Sequence, residues 1–377
     1  MMRTIDQAGG LHVYITHLVE NMLDVDEKNS YDLLYRTPGE MGRFGGRANV
    51  REFLVRSPHK FLWDQVAVPY RAWREKADVV FNPKFSVPLV SHCPVAMSLR
   101  EPAWWTWRQH YPAWNALFMR TMMPLYCARS AVLFPISQFV LDQNRPLLNL
   151  DGKDVVVAYP APDERFRVIR EEQSLAAVRK KYKLPGQFIF SAARVTHPGI
   201  EESSSFFPGK NVETTIRAYN LCRARIPQRL VIAGRRVREY CKHVGLTDEE
   251  LLGVVFIGAV SREDMVLIYN LADLVVLPSY YESFAHVLVE AMACGCPVVA
   301  STTGACGEIS GGAGLLADPD SPEDFAEKMT RTLSDPRTRS AMIERGLKRV
   351  SDFSWQATAR TVVAGLERAG SMRRPNP

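Results

Sequence analysis

The stretch PSYYESFAHVLVEAMACGCPVVA, residues 278–300, decides the fold. It follows the apolar run Leu274–Leu277 and ends in a second one, Pro297–Ala300. Short apolar runs bounded by turn residues are typical of buried parallel strands. Between the two runs, a Pro-Ser turn leads to a helix that we expect to begin at Ser283 or Phe284. The stretch therefore predicts a strand–helix–strand unit of a parallel sheet.

Two glutamates in this stretch point to a ligand. Glu282 lies just before the expected helix, and Glu290 lies roughly 12 Å further along its axis and about 80° around it. Carboxylates so placed can hold opposite ends of one elongated ligand, because they accept hydrogen bonds from the vicinal hydroxyls of a ribose or hexose. The free N–H groups at the helix start suit a diphosphate. The alternative is an ordinary helix with two surface glutamates.

The rest of the second half repeats this alternation of apolar strands and amphipathic helices. Such a pattern is typical of a doubly wound α/β domain, whose ligands bind at the carboxyl ends of the strands. The predicted strands are Phe188–Ala193, Leu230–Ala233, Val254–Ile257, Leu274–Leu277 and Pro297–Ala300, and the predicted helices are Val212–Cys222, Arg262–Leu271 and Phe284–Ala293.

The first half shows the alternation less clearly. Its predicted elements are the helices Leu11–Leu23 and Gln138–Asn144, with Ser137 as an N-cap, and the strands Tyr31–Tyr35, Asp78–Phe81, Val95–Leu99, Ala131–Pro135 and Val155–Ala158. The prolines of Tyr159–Pro162 interrupt regular structure and indicate a linker at about 160–175. We expect domains over residues 1–165 and 176–350, followed by a segment, 351–377, that contains the helix Trp355–Ala369.

Residues 278–300 resemble the signature of the retaining nucleotide-sugar glycosyltransferases of family 4, in which Glu, seven residues and a second Glu precede Ala-Met-Ala-x-Gly-x-Pro-Val. The resemblance covers nearly the whole chain. It implies the α/β GT-B fold, with two Rossmann-like doubly wound domains facing across a cleft and a last helix that packs back toward the N-terminal domain. It also implies that an NDP-sugar binds mainly to the C-terminal domain and the acceptor mainly to the N-terminal domain.

The resemblance further implies roles for individual residues. Glu282 contacts the transferred sugar, and Glu290 holds the ribose hydroxyls. Backbone amides that follow the first glutamate contact the sugar and phosphates, at Ser283, Phe284, Ala285 and Leu288. Many members have glycine where this chain has Ala285, so a methyl group there is expected to narrow the sugar pocket. Uridine and guanosine diphosphate sugars are both open as donors.

Two cations are the second element of the resemblance. Arg194 follows the first strand of the C-terminal domain, and Lys210-Asn211 opens the next helix. Both cations are expected to offset charge on the departing nucleoside diphosphate. Without the glutamate motif, the same residues would be read as surface charges. Residues 199–208 lengthen the intervening loop, which is expected to order when the donor binds.

The start of the chain carries the third element. The resemblance places the loop Gly9-Gly10, ahead of the helix at Leu11–Leu23, against the donor phosphates, where glycine permits close backbone approach. The family's first strand would precede this loop, and only Met1–Ile5 are left for it, so we expect that strand to be very short or truncated. Where the family has a His-Asp pair, this chain has Arg100-Glu101, either an acceptor or phosphate contact or a loop ion pair.

Basic charge concentrates in the first half. The chain has 47 basic and 41 acidic residues, and residues 41–130 hold 13 of the basic and 5 of the acidic ones. Aromatic residues are interleaved with this charge at Trp104, Trp105, Trp107, Tyr111, Trp114 and Phe118, beside Arg108 and Arg120. This composition is typical of an acceptor-binding or anionic-membrane face, of a packed core helix or, with less support, of nucleic-acid binding. We expect no nucleic-acid partner.

The seven cysteines are odd in number and irregularly spaced, which favours free thiols in a reducing cytoplasm. Cys294, Cys296 and Cys306 are interpreted as small buried side chains rather than metal ligands. No metal or other cofactor is expected beyond the NDP-sugar. No signal peptide or transmembrane run is visible. We expect a cytoplasmic protein, and peripheral binding to the inner face of the cell membrane is left open.

The function predicted from these features is transfer of a hexosyl group from an NDP-sugar to a glycan or lipid-linked acceptor, with retention of anomeric configuration. The alternative is a nucleotide-sugar-binding, non-catalytic partner in a polysaccharide-assembly complex. The short start of the chain and the missing His-Asp pair motivate that alternative.

Overall fold

The computed structural model describes residues 1–2, 5, 10–106, 108, 111–195 and 209–372. The chain divides into two units. The N-terminal unit comprises Met1–Arg108, Ala113–Pro160 and Ser354–Pro377, and the C-terminal unit comprises Gln109–Pro112 and Ala161–Phe353. Residues 161–175, which the sequence placed in a linker, are thus part of the C-terminal unit.

The N-terminal unit contains two parallel sheets and several helices. Its helices are α1 (Gly10–Val25), α2 (Lys60–Leu62), α3 (Val68–Arg74), α4 (Ala103–Thr106), α5 (Ala113–Arg129) and α6 (Gln138–Asn144), with a π-helical stretch at Trp63–Ala67 and the final helix of the chain at Trp355–Ser371. Its strands are β1 (Tyr31–Tyr35), β2 (Val50–Leu54), β3 (Val80–Asn82), β4 (Val95–Leu99), β5 (Ser130–Pro135) and β6 (Asp154–Val155). Strand β1 pairs with β2, and the second sheet has the order β3-β4-β5-β6.

A gap lies between the two N-terminal sheets. The Met1 nitrogen donates a hydrogen bond to Phe81 O at 2.7 Å, and the Met2 amide donates one to Leu34 O at 2.8 Å, so these two residues bridge β3 and β1. A cavity of about 900 Å³ lies beside them, lined by both strands, α1 and the final helix. Among the described residues before Gly10, none is assigned to a strand, in contrast to the short strand expected at Met1–Ile5.

The C-terminal unit is built on one six-stranded parallel sheet. Its strands are β7 (Phe188–Ala192), β8 (Arg229–Ala233), β9 (Val254–Gly258), β10 (Leu274–Leu277), β11 (Val298–Ser301) and β12 (Leu315–Ala317). Its helices are α7 (Glu172–Tyr182), α8 (Val212–Cys222), α9 (Val237–His243), α10 (Arg262–Leu271), α11 (His286–Ala293), α12 (Cys306–Ser310), α13 (Pro322–Ser334) and α14 (Pro336–Val350).

The strand order β12-β11-β10-β7-β8-β9 determines where a ligand can bind. Strands β7 and β10 are neighbours in the sheet but not in the chain, which makes their junction the topological switch point of a Rossmann-like fold. The loops after β7 and β10 therefore lie side by side at the carboxyl edge. All four residues of β10 are buried, so the core holds the start of the following loop in place.

Six predicted elements have the observed limits: Tyr31–Tyr35, Val95–Leu99, Gln138–Asn144, Val212–Cys222, Arg262–Leu271 and Leu274–Leu277. The Ser137 N-cap is confirmed, since its hydroxyl accepts from the Val140 amide at 3.1 Å. The predicted strand Val155–Ala158 differs in extent from β6, which comprises only Asp154 and Val155. The amides of Val156 and Ala158 nevertheless donate to carbonyls of β5, at Leu133 (3.0 Å) and Pro135 (2.8 Å). The α/β class with parallel, Rossmann-like sheets is confirmed for both units.

Candidate donor-binding site

The helix after β10 begins later than the sequence predicted. Helix α11 starts at His286, not at Ser283 or Phe284. The reason is Ala285, which has φ 58° and ψ 56° and so leaves the right-handed helical region at the N-cap. The residues from Pro278 to Ala285 therefore form a loop at the carboxyl edge of the sheet, and that loop carries Glu282.

Glu282 is the centre of a small polar cluster. Lys210 Nζ lies 2.5 Å from Glu282 Oε1, and the Ser279 hydroxyl donates to the same oxygen at 2.7 Å. Lys210 comes from the turn before α8, whereas the two partners come from the loop after β10. The structure thus brings two of the predicted site residues, Glu282 and Lys210, into direct contact across the switch point.

The backbone around Glu282 is fixed as well as its side chain. Its carbonyl accepts from the Ala305 amide at 2.8 Å, and the Tyr280 amide donates to Gly209 O at 2.9 Å. Gly304 lies so close that a Cβ there would be 2.6 Å from the Glu282 nitrogen. These contacts hold the carboxylate in one place relative to the sheet.

Glu290 lies on α11 and is almost fully buried, with 5% of its surface exposed. Arg262 Nη2 contacts its Oε1 at 3.1 Å, and the Arg262 guanidinium also lies over the Phe166 ring, 5.0 Å from the centroid. Burial raises the pKa of Glu290, and the charge of Arg262 opposes that rise. Arg262 was missed by the sequence analysis. The available signal was an arginine at the first position of a helix that follows the carboxyl end of β9.

The predicted phosphate-binding amides are only partly available. Among the described residues, the amides of Phe284 and Ala285 have no acceptor, as expected ahead of a helix's first turn. The Leu288 amide donates to Ala285 O at 2.9 Å, so in this structure it is already engaged within the chain. The side chains of Phe284, Ala285 and Leu288 are buried, whereas Ser283 is partly exposed.

Arg194 lies in the loop after β7, on the same edge of the sheet as Lys210 and Glu282. Its side chain is exposed, and within the described part of the chain it forms no ion pair. The structure thus places it at the predicted edge without joining it to the Lys210–Glu282 pair. The predicted loop insertion at 199–208 lies outside the described residues.

The site residues predicted in the N-terminal unit lie at the start of α1 and after β4. Gly9 lies outside the described residues, and Gly10 is the exposed first residue of α1. Arg100 follows β4 directly and lies over the Tyr14 ring, 4.6 Å from its centroid. Glu101 is the next residue and is partly buried.

The residues predicted for the aromatic–basic face, from Trp104 to Arg108, differ in their exposure. Trp104 is buried, with its ring 4.8 Å from that of Phe85, so it is not part of an exposed membrane face. Trp105 is partly buried, Arg108 is exposed, and Trp107 lies outside the described residues.

An exposed apolar face exists instead on α2, the π-helical stretch, α3 and α5. We call it the apolar face, and its members are Phe61, Leu62, Val66, Tyr70, Trp73, Trp114, Leu117 and Phe118.

All seven cysteines are free and buried, and burial raises the pKa of Cys294 to about 12. Within the described residues, no three His, Cys, Asp or Glu side chains group as metal ligands would. Asp318 and Asp26 act in turns: Asp318 accepts a hydrogen bond from the amide of Asp320, and Asp26 accepts from the amides of Lys28 and Asn29. No helix in the described part of the chain has the length and apolar content needed to span a membrane.

Comparison with protein families adds independent information about the same region. Residues 200–349, which include Lys210, Glu282 and Glu290, match the family model for glycosyl transferases group 1. This segment is therefore similar to the group 1 glycosyltransferases. The chain is 28% identical to the serotype-specific mannosyltransferase WbdA of Escherichia coli over 250 residues, which cover 64% of this chain but only 29% of WbdA. It is 27% identical to the Escherichia coli O-antigen chain mannosyltransferase B over 331 residues, 83% of this chain and 81% of that protein.

Comparison with solved structures identifies the architecture. HepE of Anabaena, solved in complex with UDP-glucose, aligns over 96% of this chain and 97% of its own, with a TM-score of 0.69 and 16% identity. At that identity the likeness concerns the fold alone. The fold is GT-B, as the resemblance of residues 278–300 had implied.

Proposed function

We propose that this group 1 glycosyltransferase transfers a hexosyl group from an NDP-sugar to a glycan or lipid-linked acceptor, with retention of anomeric configuration. The observation that carries the proposal is the Lys210–Glu282 pair at the switch point of the C-terminal sheet. An ammonium group and a carboxylate so placed can serve the two ends of a sugar diphosphate. Lys210 binds the diphosphate, and Glu282 accepts hydrogen bonds from the hexose hydroxyls.

The leaving group is the electrostatic problem of this reaction. As the bond from the anomeric carbon to the phosphate oxygen breaks, the carbon becomes oxocarbenium-like and negative charge grows on the diphosphate. Lys210 and Arg194 supply positive charge, and the amides of Phe284 and Ala285 supply donors at the start of α11. In this proposal these groups perform the task for which other transferases use a metal ion.

Retention follows from the same arrangement. The departing phosphate oxygen takes the proton of the acceptor hydroxyl, which attacks the anomeric carbon from the face that the phosphate leaves. Glu282 is held by Lys210 and Ser279, so we assign it to sugar binding rather than to a covalent intermediate. Glu290 holds the ribose hydroxyls, with Arg262 orienting its carboxylate.

The compared proteins support the class of donor and of product. HepE was solved with UDP-glucose, and the Escherichia coli relatives are named as mannosyltransferases, one of the O-antigen chain. We therefore propose a polysaccharide as the product. The sugar and the nucleotide, UDP or GDP, are to be identified by experiment.

A thermal-shift screen of UDP- and GDP-sugars tests the proposal, because a ligand that binds only the folded state raises the melting temperature. The matching donor is then incubated with the purified protein, and hydrolysis or transfer is measured.

We expect Glu282→Gln and Lys210→Gln to reduce turnover by about a hundredfold or more. The exposed Glu249→Gln variant is the control. Near-normal turnover in either site variant would contradict the assignment, and binding without hydrolysis or transfer would favour a non-catalytic partner.

We also propose that the apolar face docks on the inner surface of the cell membrane. Eight large apolar side chains are exposed there, including Trp73 and Trp114, and a ring contact of 6.1 Å between Phe61 and Phe118 joins the two helical segments. Lys60, Arg74 and Arg120 are exposed on the same elements. Aromatic rings with neighbouring cations favour an anionic lipid interface.

Liposome flotation checks the membrane proposal. We expect the protein to float with vesicles that contain phosphatidylglycerol at low salt and to be released at high salt, because salt screens the attraction to anionic lipid. Trp73→Ser combined with Trp114→Ser should reduce the bound fraction about tenfold, whereas Leu252→Ser, an equally exposed site in the C-terminal unit, should not. Equal flotation at low and high salt would argue against the charged contribution.

A further inference from the structure

Positively charged residues follow four strands of the N-terminal unit, two in each of its sheets. Arg36 comes directly after β1, Arg56 two residues after β2, Lys84 two residues after β3 and Arg100 directly after β4. Strands β1 and β2 are parallel to each other, as are β3 and β4. The residues that precede β1 and β3 line the same cavity, so the carboxyl ends of the four strands lie together at the opposite edge of the unit. Ligands of open α/β sheets bind at this edge.

Arg100 is held firmly by its backbone and by its ring contact. Its carbonyl accepts from Asn144 Nδ2 at 2.9 Å, and its guanidinium lies over Tyr14, whose hydroxyl is 2.9 Å from Ser98 Oγ. Its Nε and Nη2 atoms are buried, and among the described residues they have no acceptor. Buried guanidinium donors without an acceptor are costly, so these atoms are available to bind a ligand.

Arg36 repeats this feature on the other side of the gap. Its Nε is buried and has no acceptor in the described part of the chain. Strand β2 carries one carboxylate, Glu52. It already accepts hydrogen bonds from the Tyr35 hydroxyl at 2.6 Å and from the Gly42 amide at 2.8 Å. Arg36 thus keeps its charge available at the same edge.

Lys84 and two aromatic rings lie between these arginines along the edge. Lys84 Nζ is 4.9 Å from the centre of the Phe85 ring, which meets the Trp104 ring edge-on at 4.8 Å. Trp104 lies only four residues after Arg100. The rings therefore connect the loop after β3 to the loop after β4.

We propose that this edge binds an anionic group of the acceptor, a phosphate or a carboxylate, through Arg36 and Arg100, with Lys84 as a third cation. The inference rests on the proposed function, because it names the acceptor class of that reaction. Guanidinium groups bind such oxyanions through two parallel hydrogen bonds, which a neutral sugar hydroxyl cannot replace. The acceptor is accordingly a sugar that carries negative charge.

Three sugars that differ only at C6 test this inference: glucose, glucose 6-phosphate and glucuronic acid. Their binding to the full chain is measured by calorimetry with the nucleoside diphosphate of the identified donor present at saturation, so that the donor site is filled. We expect one or both anionic sugars to bind at least tenfold more tightly than glucose. The stronger of the two identifies the anion as phosphate or carboxylate.

Variants assign the effect to the edge. Arg100→Gln and Arg36→Gln should each weaken the anionic sugar by roughly ten- to a hundredfold and leave glucose unchanged. Arg100→Lys, which keeps the charge, should retain part of the preference, and Arg360→Gln, an exposed arginine of the final helix, should have no effect. Thermal unfolding of each variant shows whether it is folded.

Equal affinity for the three sugars, or a preference that survives both Arg36→Gln and Arg100→Gln, would overturn the inference. Hydrolysis of the donor by water, measured without an acceptor, separates this failure from that of the proposed function. If hydrolysis persists while the charge preference is absent, only the anionic acceptor is wrong.

Discussion

Glu290 is buried although it is ionisable. Burial raises its pKa, and Arg262 opposes the rise without cancelling it. Because the folded-state pKa lies above the unfolded one, the stability that this group contributes is fully present below the unfolded pKa. That stability is lost as the pH rises through the folded pKa. A carboxyl group kept in such surroundings is typical of a functional site.

Replacing Glu290 with Gln should therefore stabilise the fold at high pH and weaken donor binding. We expect the melting temperature of Glu290→Gln, relative to that of the parent, to increase from pH 4.5 to pH 8, because only the parent has to ionise a buried group. Donor affinity should fall about tenfold or more, since an amide oxygen binds ribose hydroxyls less strongly than a carboxylate does. Glu249→Gln is the control, as that side chain is exposed in the folded state. A melting-temperature difference that stays constant with pH would contradict this explanation.

At the residue scale, local spacing predicted some contacts and missed others. Glu282 and Lys210 could be predicted as site residues because each lies next to an element that the sequence shows clearly. Glu282 follows strand β10, and Lys210 lies two residues before helix α8. Arg262 pairs with a residue 28 positions away, and nothing in its own segment shows which side chain it faces. The left-handed conformation of Ala285 was equally invisible, since alanine normally favours a helix.

The loop after β10 depends on its contact with the loop after β11. Gly304, in the second loop, has φ +67°, and a Cβ there would lie 2.6 Å from the nitrogen and 2.9 Å from the oxygen of Glu282. Both are backbone atoms, which cannot rotate away as the end of a side chain can. The position of Glu282 is therefore set in part by the absence of a side chain at residue 304.

Gly304→Ala should consequently displace Glu282, whereas Gly312→Ala should not. Gly312 also has a positive φ, +79°, but a Cβ there has no atom within 4 Å. Both substitutions strain the backbone by about 1–2 kcal/mol. Only Gly304→Ala should lower the unfolding free energy further and weaken donor binding about tenfold, as measured by denaturation and calorimetry. Equal losses in the two variants would show that the Glu282 contact is unimportant.

At the element scale, the C-terminal unit was the more predictable one. Strands such as β10 are continuous apolar runs, because both faces of the sheet are covered. Strand β2, Val-Arg-Glu-Phe-Leu, escaped prediction since it pairs on one side only and has no fully buried residue. Local patterns do not record which strands finally pair.

The chain ends in the unit where it begins. The final helix, Trp355–Ser371, packs in the N-terminal unit, where Trp355 meets Tyr14 at 5.8 Å and His17 at 5.5 Å between ring centroids. Its Thr358 hydroxyl donates to Tyr159 O. Residues 354 onward thus complete a unit whose other residues end almost 200 positions earlier, at Pro160.

At Gly365 this helix packs directly against strand β5. A Cβ at Gly365 would lie 2.6 Å from Phe134 Cζ, whereas one at Gly370, in the same helix, meets only Asp78 Cβ at an ordinary 3.8 Å. Phe134 is fully buried in β5 and has no space to move. We expect Gly365→Ala to lower the unfolding free energy of the N-terminal unit by about 1–3 kcal/mol through overpacking.

Gly370→Ala should be neutral or slightly stabilising, because alanine is the better helix former. Hydrogen exchange measures both effects locally. In Gly365→Ala, the amides of β4 and β5 should exchange faster, while those of β10 and β11 keep their protection and donor binding is retained. Faster exchange throughout both units would contradict the assignment of the final helix to the N-terminal unit alone, and it would mean that the stability of the donor site depends on the last residues of the chain.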